Sequence, residues 1–272
     1  NEPGKPKVLQ DNSVRSLFID AGGDLWIGTS KGVNVLRAGS SKMEFLSDKD
    51  GLPNVVTKAI HQSRDGTMWV ANFSPSGHCY RLPGEKIFHP LSEHPVLSQF
   101  QGSFGQCILE DSRGRLWFGL DGNGLTYFDP ANRMAKYWKR TPANDSTLIG
   151  NFVYSMTEDA RGHIWAATLE GISVIDPLTF HFTNYNTATG LPTNRYMSIR
   201  VDGENRVWAG TAHGLLLLDD TGKLIRQFNL DDGLTEDDFT DRPSYQLKNG
   251  KFVFATTRGF LTFFPEKYKA AE

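Results

Sequence analysis

The chain has 272 residues and a formal net charge of −2; hydrophobic residues make up 39% of it and charged residues 22%. This composition is typical of a globular protein with a packed core and excludes a disordered chain, and the near-zero net charge gives no indication of nucleic-acid binding. No apolar run approaches the ~18 residues of a membrane-spanning helix, so no membrane span is expected. Strand-forming aromatic residues (18 Phe, 8 Tyr, 6 Trp) alternate with turn-forming ones (27 Gly, 13 Pro), which favours an all-β fold.

One motif recurs along the chain. Its first copy reads Asp-Ala-Gly-Gly-Asp-Leu-Trp-Ile-Gly-Thr over residues 20–29, and later copies keep the turn and the tryptophan. The six anchor positions are Trp26, Trp69, Trp117, Trp165, Trp208 and, in a sixth copy without tryptophan, Val253. The intervals between them are 43, 48, 48, 43 and 45 residues. That spacing is typical of a four-stranded propeller blade.

Each copy predicts four short strands. The innermost ends before the motif turn (14–19 in the first copy) and the second carries the anchor. The third begins at a glycine (32–36, 171–175, 214–218, 259–264), and the outer one is aromatic (43–46, 135–138, 181–185). We therefore predict a single domain over residues 1–272, a β-propeller of about six four-stranded blades. The last copy supplies only three strands, so residues near 7–10 are expected to add the fourth and close the ring.

The repeated residues have structural interpretations. The motif aspartate is expected to accept hydrogen bonds from turn N–H groups, and the tryptophan to pack between neighbouring blades. The position ten residues before each anchor holds a small residue or proline, as expected where inner strands crowd together. These residues are Ser16, Ala59, Cys107, Ser155, Ser198 and Pro243.

The two cysteines, Cys79 and Cys107, are too few for a disulfide framework or a structural zinc site. The first opens a third strand of the second blade, and the second lies on the innermost strand of the third. We therefore predict two free thiols, with no metal site and no cofactor.

The links between copies resemble those of the two-component regulator propeller repeat. The segments that resemble this repeat are Gly51-Leu52-Pro53-Asn54, Gly190-Leu191-Pro192-Thr193-Asn194 and Gly233-Leu234-Thr235. Asn12 and Asn151 stand in the corresponding place of two other copies. The resemblance implies the sensor region of a bacterial hybrid two-component histidine kinase, located in the periplasm or outside the cell and responding to oligosaccharides. Such propellers commonly have seven copies, whereas this sequence has six. The chain shows no kinase motif or signal peptide, so any kinase would lie outside it.

Three classes of function follow from these patterns. The first is binding of an oligosaccharide or another small ligand, and the second is a protein scaffold or homodimerisation module. The third is a metal-dependent lyase similar to streptogramin lyase, in which His213 and Glu170 would supply the histidine and the glutamate. Because no acid, base and electrophile fall together in the sequence, we predict a binding module and no catalysis.

The strand order places the candidate binding face. Loops joining second and third strands lie at the same end of a blade as the links to the next blade, and loops commonly carry binding residues. We expect a basic opening there, flanked by aromatic rings that stack on sugar faces. The candidate ligand-binding residues are Arg15, Lys31, Lys58, Phe100, Gln106, Tyr154, Glu170, Arg195, Tyr196, His213, Arg242 and Arg258.

Overall fold

The computed structural model describes residues 9–53, 55–73, 78–100, 104–142, 144, 146–242 and 244–268, with only the backbone of residue 100. The chain forms two compact units, residues 1–137 and 138–272, with three blades in each. Within the described ranges, five blades are four-stranded antiparallel sheets, the sixth has three strands, and the only helices are single 3-10 turns. The fold class is a six-bladed β-propeller, as the repeat predicts.

The strands of the first unit follow the predicted order. The first blade contains β1 (Val14–Ile19), β2 (Leu25–Thr29), β3 (Gly32–Leu36) and β4 (Met43–Leu46). The second contains β5 (Thr57–Gln62), β6 (Met68–Asn72), β7 (Cys79–Arg81) and β8 (His89–Pro90). The third contains β9 (Gly105–Glu110), β10 (Leu116–Leu120), β11 (Leu125–Asp129) and β12 (Met134–Trp138).

The second unit continues the same pattern. The fourth blade contains β13 (Val153–Glu158), β14 (Ile164–Thr168), β15 (Ile172–Ile175) and β16 (Phe182–Tyr185). The fifth contains β17 (Tyr196–Val201), β18 (Val207–Thr211), β19 (Gly214–Leu218) and β20 (Leu224–Phe228). The sixth contains β21 (Tyr245–Gln246), β22 (Phe252–Ala255) and β23 (Phe260–Phe263). The 3-10 turns are Asp48–Asp50, Leu91–Glu93, Ser98–Phe100, Thr187–Thr189, Leu230–Asp232 and Pro265–Lys267.

The Gly-Leu motif of the links ends three of these turns. Asn186 accepts a hydrogen bond from the N–H of Ala188, while Thr189 accepts one from the N–H of Asn186. The next residue, Gly190, has a φ of 99°, a conformation that disfavours side chains. The buried Leu191 then packs into the core of the unit. The same arrangement recurs over residues 47–52 and 229–234, so the motif guides the chain from one blade to the next.

The motif aspartate holds both the turn and the tryptophan. In the fifth blade, Asp202 Oδ1 accepts the N–H groups of Glu204 and Arg206, at 3.0 and 2.9 Å. Its Oδ2 accepts the indole N–H of Trp208 and the Nε–H of Arg206, both at 2.8 Å. Four other blades repeat the indole bond, through the pairs Asp20 and Trp26, Ser63 and Trp69, Asp111 and Trp117, and Asp159 and Trp165. The structural role predicted for the aspartate is confirmed, and the indole bond explains the six-residue spacing.

Successive blades within a unit pack through two kinds of face. The forward face of a blade carries the tryptophan and alternate residues of the third strand, such as Trp208, Leu215 and Leu217 in the fifth blade. The receiving face is the one that packs against it, such as Phe252 and Phe254 in the sixth. The same pairing joins the first blade to the second and the fourth to the fifth. The predicted interblade position is confirmed for Trp26, Trp69, Trp165 and Trp208, whose indoles lie in these interblade clusters and are at most 2% exposed.

Inner strands meet their neighbours at small residues, as predicted. A Cβ added at Gly28 would lie 2.2 Å from Ser16 Oγ and 2.9 Å from the backbone oxygen of Thr57 on the next inner strand. One at Gly210 would lie 2.4 Å from Ser198 Oγ. Only small side chains fit where strands approach this closely.

The predicted closing strand is not formed by the described residues of that segment. Gln10 lies in a bend, where its N–H donates to Asn34 Oδ1 and its side-chain amide to the carbonyl of Leu46, both in the first blade. Lys7 and Val8 lie outside the described residues, so closure of the ring stays a prediction.

Candidate functional site

The candidate site lies at one end of the blades. At this end, the loops that join second and third strands lie together with the links between blades. The antiparallel strand order puts both kinds of loop at one end of every sheet. This end is called the loop face below. Most of the predicted site residues lie at this end, and the local backbone explains how several of them are presented.

A β-bulge presents one column of candidates. In the first blade Val14 pairs with Thr29 and Ser16 with Gly28, so Arg15 is an extra residue that has no pairing residue on β2. The same irregularity occurs in the next four inner strands. The bulged positions are Arg15, Lys58, Gln106, Tyr154 and Met197. A bulge bends the strand and re-aims a side chain, which is why such irregularities often occur beside binding sites.

A threonine turn presents the second column. In the fourth blade, the hydroxyl of Thr168 donates to the carbonyl of Gly171 at 2.8 Å and accepts the N–H of Glu170 at 3.1 Å. The same two bonds hold Lys31 in the first blade and His213 in the fifth. Arg258 lies in a related turn, where Thr256 accepts the N–H of Gly259. The backbone of Lys31, Glu170 and His213 is therefore held in one local geometry, while their side chains differ.

In the first unit, two cations of the loop face make polar contacts with neighbouring residues. Arg15 Nε donates to Ser30 Oγ at 3.1 Å, and the exposed Lys31 lies 3.9 Å from the carboxylate of Asp11. Gln106 is buried and is not presented as a surface group. The side chain of Phe100 lies outside the described residues.

The first unit also holds an aromatic pair that the sequence did not reveal. The rings of Phe73 and Phe104 lie 4.8 Å apart at 42°, and the ammonium group of Lys58 stands 5.4 Å from the Phe73 ring centroid. Phe73 is 38% exposed. Its position, four residues after the anchor, holds Ser30 in the first blade, so an aromatic residue there is the signal that could have been noticed. Together these residues form a ring surface beside a cation.

In the second unit, the structure corrects one candidate. Tyr196 is fully buried in the core between the fourth and fifth blades, and its hydroxyl donates to the carbonyl of Thr193 at 2.8 Å. It therefore offers no ring face to a ligand, because its place in the inner strand points it into the interblade packing. Tyr154 is half-buried. The remaining candidates of this unit are exposed or half-buried, namely Arg195, His213, Arg242 and Arg258.

A cleft opens on the loop face of the second unit. Its volume is about 290 Å³. Two segments enclose it, the link before β13 and the end of β16 with the turn that follows. The lining residues are Arg140, Thr141, Asn144, Leu148, Ile149, Asn184, Asn186, Ala188 and Thr189. Guanidinium, amide and hydroxyl groups thus share the cleft with three aliphatic side chains.

Hydrogen bonds hold the two walls of the cleft together. Asn184 donates from its side-chain amide to the carbonyl of Thr147 at 2.8 Å and accepts from Ser173 Oγ at 2.7 Å. Ser173 also accepts the N–H of Ile149 at 3.0 Å. The cleft is therefore shaped before any ligand arrives, which lowers the entropic cost of binding.

A carboxylate lies next to the cleft. A Cβ added at Gly150 would stand 2.0 Å from Glu170 Oε2, so the glycine makes room for this group. Within the described part of the chain, Glu170 Oε2 is buried without a hydrogen-bond partner. Burial raises the pKa of the Glu170 carboxyl, and the charge of Arg140 acts in the opposite direction. The cleft is thus bordered by one cation and one partly desolvated carboxyl group.

Two further observations concern metals and membranes. Among the residues that the structure describes, no group of three or more His, Cys, Asp or Glu side chains is arranged to hold a metal ion. In the same ranges, no helix has the length and apolar character needed to cross a membrane.

These features define a class, a β-propeller whose loop ends carry polar and charged side chains. Residues 8–31, 99–122 and 147–170 match the family described as two component regulator propeller. The chain therefore carries two-component regulator propeller repeats, as the motifs predicted. No curated protein matches the sequence significantly.

Several solved structures share the fold. The extracellular domain of a hybrid two-component system from B. thetaiotaomicron aligns with a TM-score of 0.80 and 21% identity, over 95% of this chain and 34% of its own. PorZ, a surface component of the type-IX secretion system of Porphyromonas gingivalis, aligns with a TM-score of 0.69 and 17% identity, over 93% of this chain and 38% of its own. A streptogramin B lyase aligns with a TM-score of 0.67 and 17% identity, over 93% of this chain and 80% of its own. These identities show a common fold, and the chain spans about a third of the length of the first relative.

Proposed function

We propose that this chain is a ligand-recognition module of an extracytoplasmic sensor and that the cleft beside Arg140 binds part of an oligosaccharide. The observation that carries the proposal is the cleft itself, with its preformed walls and mixed polar lining. Its volume, about 290 Å³, lies at the lower end of the range of small-molecule sites, which suits the end of a sugar chain.

The lining matches the chemistry of a sugar. Amide and hydroxyl groups both donate and accept hydrogen bonds, as sugar hydroxyls do. The guanidinium of Arg140 can hold two oxygens of a hydroxyl pair or of a uronic acid carboxylate. Leu148, Ile149 and Ala188 supply apolar surface for the C–H face of a ring. Cations of the same loop face, Arg195 and Arg242 among them, would extend contact to further sugar units.

The extracytoplasmic assignment rests on the repeats. Two relatives that share the fold are described as extracellular domains of two-component systems. This chain covers 34% of the length of one and 40% of the length of the other. The proposal is therefore limited to recognition and does not extend to signalling output.

Calorimetric titration against a panel of neutral and acidic oligosaccharides tests the proposal. For a sugar that binds, Arg140→Ala is expected to weaken binding about ten- to a hundredfold, since a hydrogen bond to a charged group contributes roughly 1.5–3 kcal/mol. Arg242→Ala and Tyr154→Ala report on the rest of the loop face. Arg113→Ala is the matched control, because this exposed arginine lies in the turn at the opposite end of its blade.

The outcomes separate the candidate functions. Loss of affinity in Arg140→Ala but not in Arg113→Ala supports the cleft. Binding that is unaffected by all loop-face changes places the site elsewhere. A panel in which no sugar binds favours the scaffold function over ligand recognition.

A further inference from the structure

A second cleft lies between the second and third blades, within the first unit. It has a volume of about 390 Å³ and is called the Tyr80 cleft below. Its walls come from the end of β7, from the link before β9 and from the turn between β11 and β12. The turns after β7 and β11 lie at the end of the blades opposite the loop face, so this cleft is separate from the one beside Arg140.

The link that forms one wall departs from the Gly-Leu motif. In three other links the residue after a 3-10 turn is glycine, whereas the turn Leu91–Glu93 is followed by His94. His94 Nδ1 accepts the N–H groups of Val96 and Leu97, at 3.2 and 3.1 Å. Burial lowers the pKa of His94, which keeps the ring neutral. Because Nδ1 accepts, the ring hydrogen lies on Nε2, where it can be donated to a ligand.

Two polar groups that line the Tyr80 cleft have no hydrogen-bond partner among the described residues. They are the Nε2–H of His94 and the hydroxyl of Tyr80, and both atoms reach the surface. The side chains that carry them are 9% and 7% exposed, and their rings lie edge to face with centroids 4.9 Å apart. Burial raises the pKa of the Tyr80 hydroxyl, so it stays protonated and can donate. A ligand acceptor in the cleft would satisfy both donors.

A cation completes the polar side of the Tyr80 cleft. Asp129 accepts two hydrogen bonds within the turn after β11, and this turn presents Arg133, which has a φ of 52°. Arg133 is exposed and lines the cleft, and its charge acts in the same direction as burial on the pKa of His94. Glu93 also lines the cleft, but its carboxylate contacts His89 Nδ1 at 3.3 Å. The cleft therefore offers three donors, one of them charged.

The rest of the lining is apolar. It consists of Leu82, Pro95, Val96, Phe128 and Pro130. Phe128 is 5% exposed and belongs to the core cluster between the second and third blades, so this part of the lining is fixed by packing. Such a surface suits an apolar ring or chain better than a sugar, because burying hydroxyl groups without partners costs free energy.

We propose that the Tyr80 cleft binds a small carboxylic acid with an apolar body, in its ionised form. The carboxylate accepts hydrogen bonds from the guanidinium of Arg133, the Nε2–H of His94 and the hydroxyl of Tyr80. The apolar body lies against Phe128. Hydrogen bonds to an ionised acceptor are stronger than those to a neutral one, which selects the carboxylate. This site is independent of sugar recognition by the cleft beside Arg140, so either proposal can fail without the other.

Ligand-observed NMR titration of the purified chain tests the proposal with three compounds of similar shape. Phenylacetate, phenylacetamide and phenethylamine share one ring and differ in the charge of the end group. Phenylacetate is expected to bind at least about tenfold more tightly than the other two, because only its end group is an anion. Equal affinity for the three compounds, tighter binding of the amine, or no binding of phenylacetate at millimolar concentration would each overturn the proposal.

Substitutions locate the site. Arg133→Gln removes the charge, Tyr80→Phe removes the hydroxyl, and His94→Asn keeps an acceptor for the backbone N–H groups while removing Nε2–H. Each is expected to weaken phenylacetate binding about tenfold or more, and Arg133→Gln should also bring the affinities for phenylacetate and phenylacetamide close together. Arg113→Gln is the matched control, since it removes the same charge from an exposed arginine at the same end of the third blade, outside the cleft lining.

The control separates a site from a general effect of charge. Circular dichroism establishes that each variant is folded before it is titrated. Weaker binding in Arg133→Gln and Tyr80→Phe, with unchanged binding in Arg113→Gln, supports the proposal. Equal losses in Arg133→Gln and Arg113→Gln, or unchanged binding in Arg133→Gln, would overturn it.

Discussion

Replacing His78 by leucine should make the protein more resistant to acid. His78 is 3% exposed, and within the described residues neither ring nitrogen has a hydrogen-bond partner. It occupies a forward-face position that holds Val33, Leu125 and Ile172 in other blades. The glycine beside it makes room for the ring, since a Cβ at Gly105 would lie 2.4 Å from His78 Cε1.

The magnitude follows from the protonation of this ring. Burial lowers the pKa of His78 to about 4, against roughly 6.5 in an unfolded chain. At pH 8 both states are neutral and proton uptake contributes nothing. Between pH ~6.5 and 4 the unfolded chain takes up a proton that the folded protein does not, so stability falls as pH falls. At 1.36 kcal/mol per pH unit, the free energy of unfolding loses up to about 3 kcal/mol by pH 4.

Urea unfolding followed by tryptophan fluorescence between pH 8 and pH 4.5 measures this effect. His78→Leu should be at least as stable as the wild type at pH 8, because it removes an unpartnered polar group from the core. Its advantage should grow steadily below pH ~6.5. The control is His181→Gln, since His181 is exposed. A constant difference between His78→Leu and the wild type over the whole range would refute the reasoning.

Three other predictions concern the turn, the thiols and catalysis. Asp202→Ala should lower the free energy of unfolding by about 3 kcal/mol in urea titration, because it leaves the buried indole N–H of Trp208 without its acceptor; an unchanged midpoint would contradict this. Burial raises the pKa of Cys79 to about 11 and of Cys107 to about 12, so a thiol reagent should label both in denatured, unreduced protein and label them slowly in the native fold. The chain should not degrade sugars or lactones with added divalent metals; metal-dependent turnover abolished by His213→Ala would establish the lyase alternative.

Much of the fold could be predicted from the sequence because blade structure depends on local patterns. The predicted strands 14–19, 32–36, 43–46 and 214–218 agree with the observed bounds, and the others differ by about one residue. Turn residues and alternating side chains act over a few positions, and six copies of one pattern reinforce each other. The structural roles of the motif aspartate and tryptophan followed from the same local reasoning.

The site depended on contacts between distant segments. The bulges that re-aim Arg15 and Lys58 reflect pairing with a neighbouring strand and leave no mark in the repeat. Tyr196 has the same type of side chain as an exposed tyrosine, and only packing between two blades buries it. The cleft joins Arg140 to Asn184, residues far apart in the chain that folding brings together.

The sequence by itself therefore determined the repeat, the all-β class, the strand order and the end of the blades that carries the loops. The tertiary structure alone decided which apolar positions are covered. Leu215 and Phe260 are equivalent by register and both hydrophobic, yet one is 2% and the other 70% exposed. The physical reason is that hydrophobic burial depends on the presence of a neighbouring surface, which a residue's own sequence position does not specify.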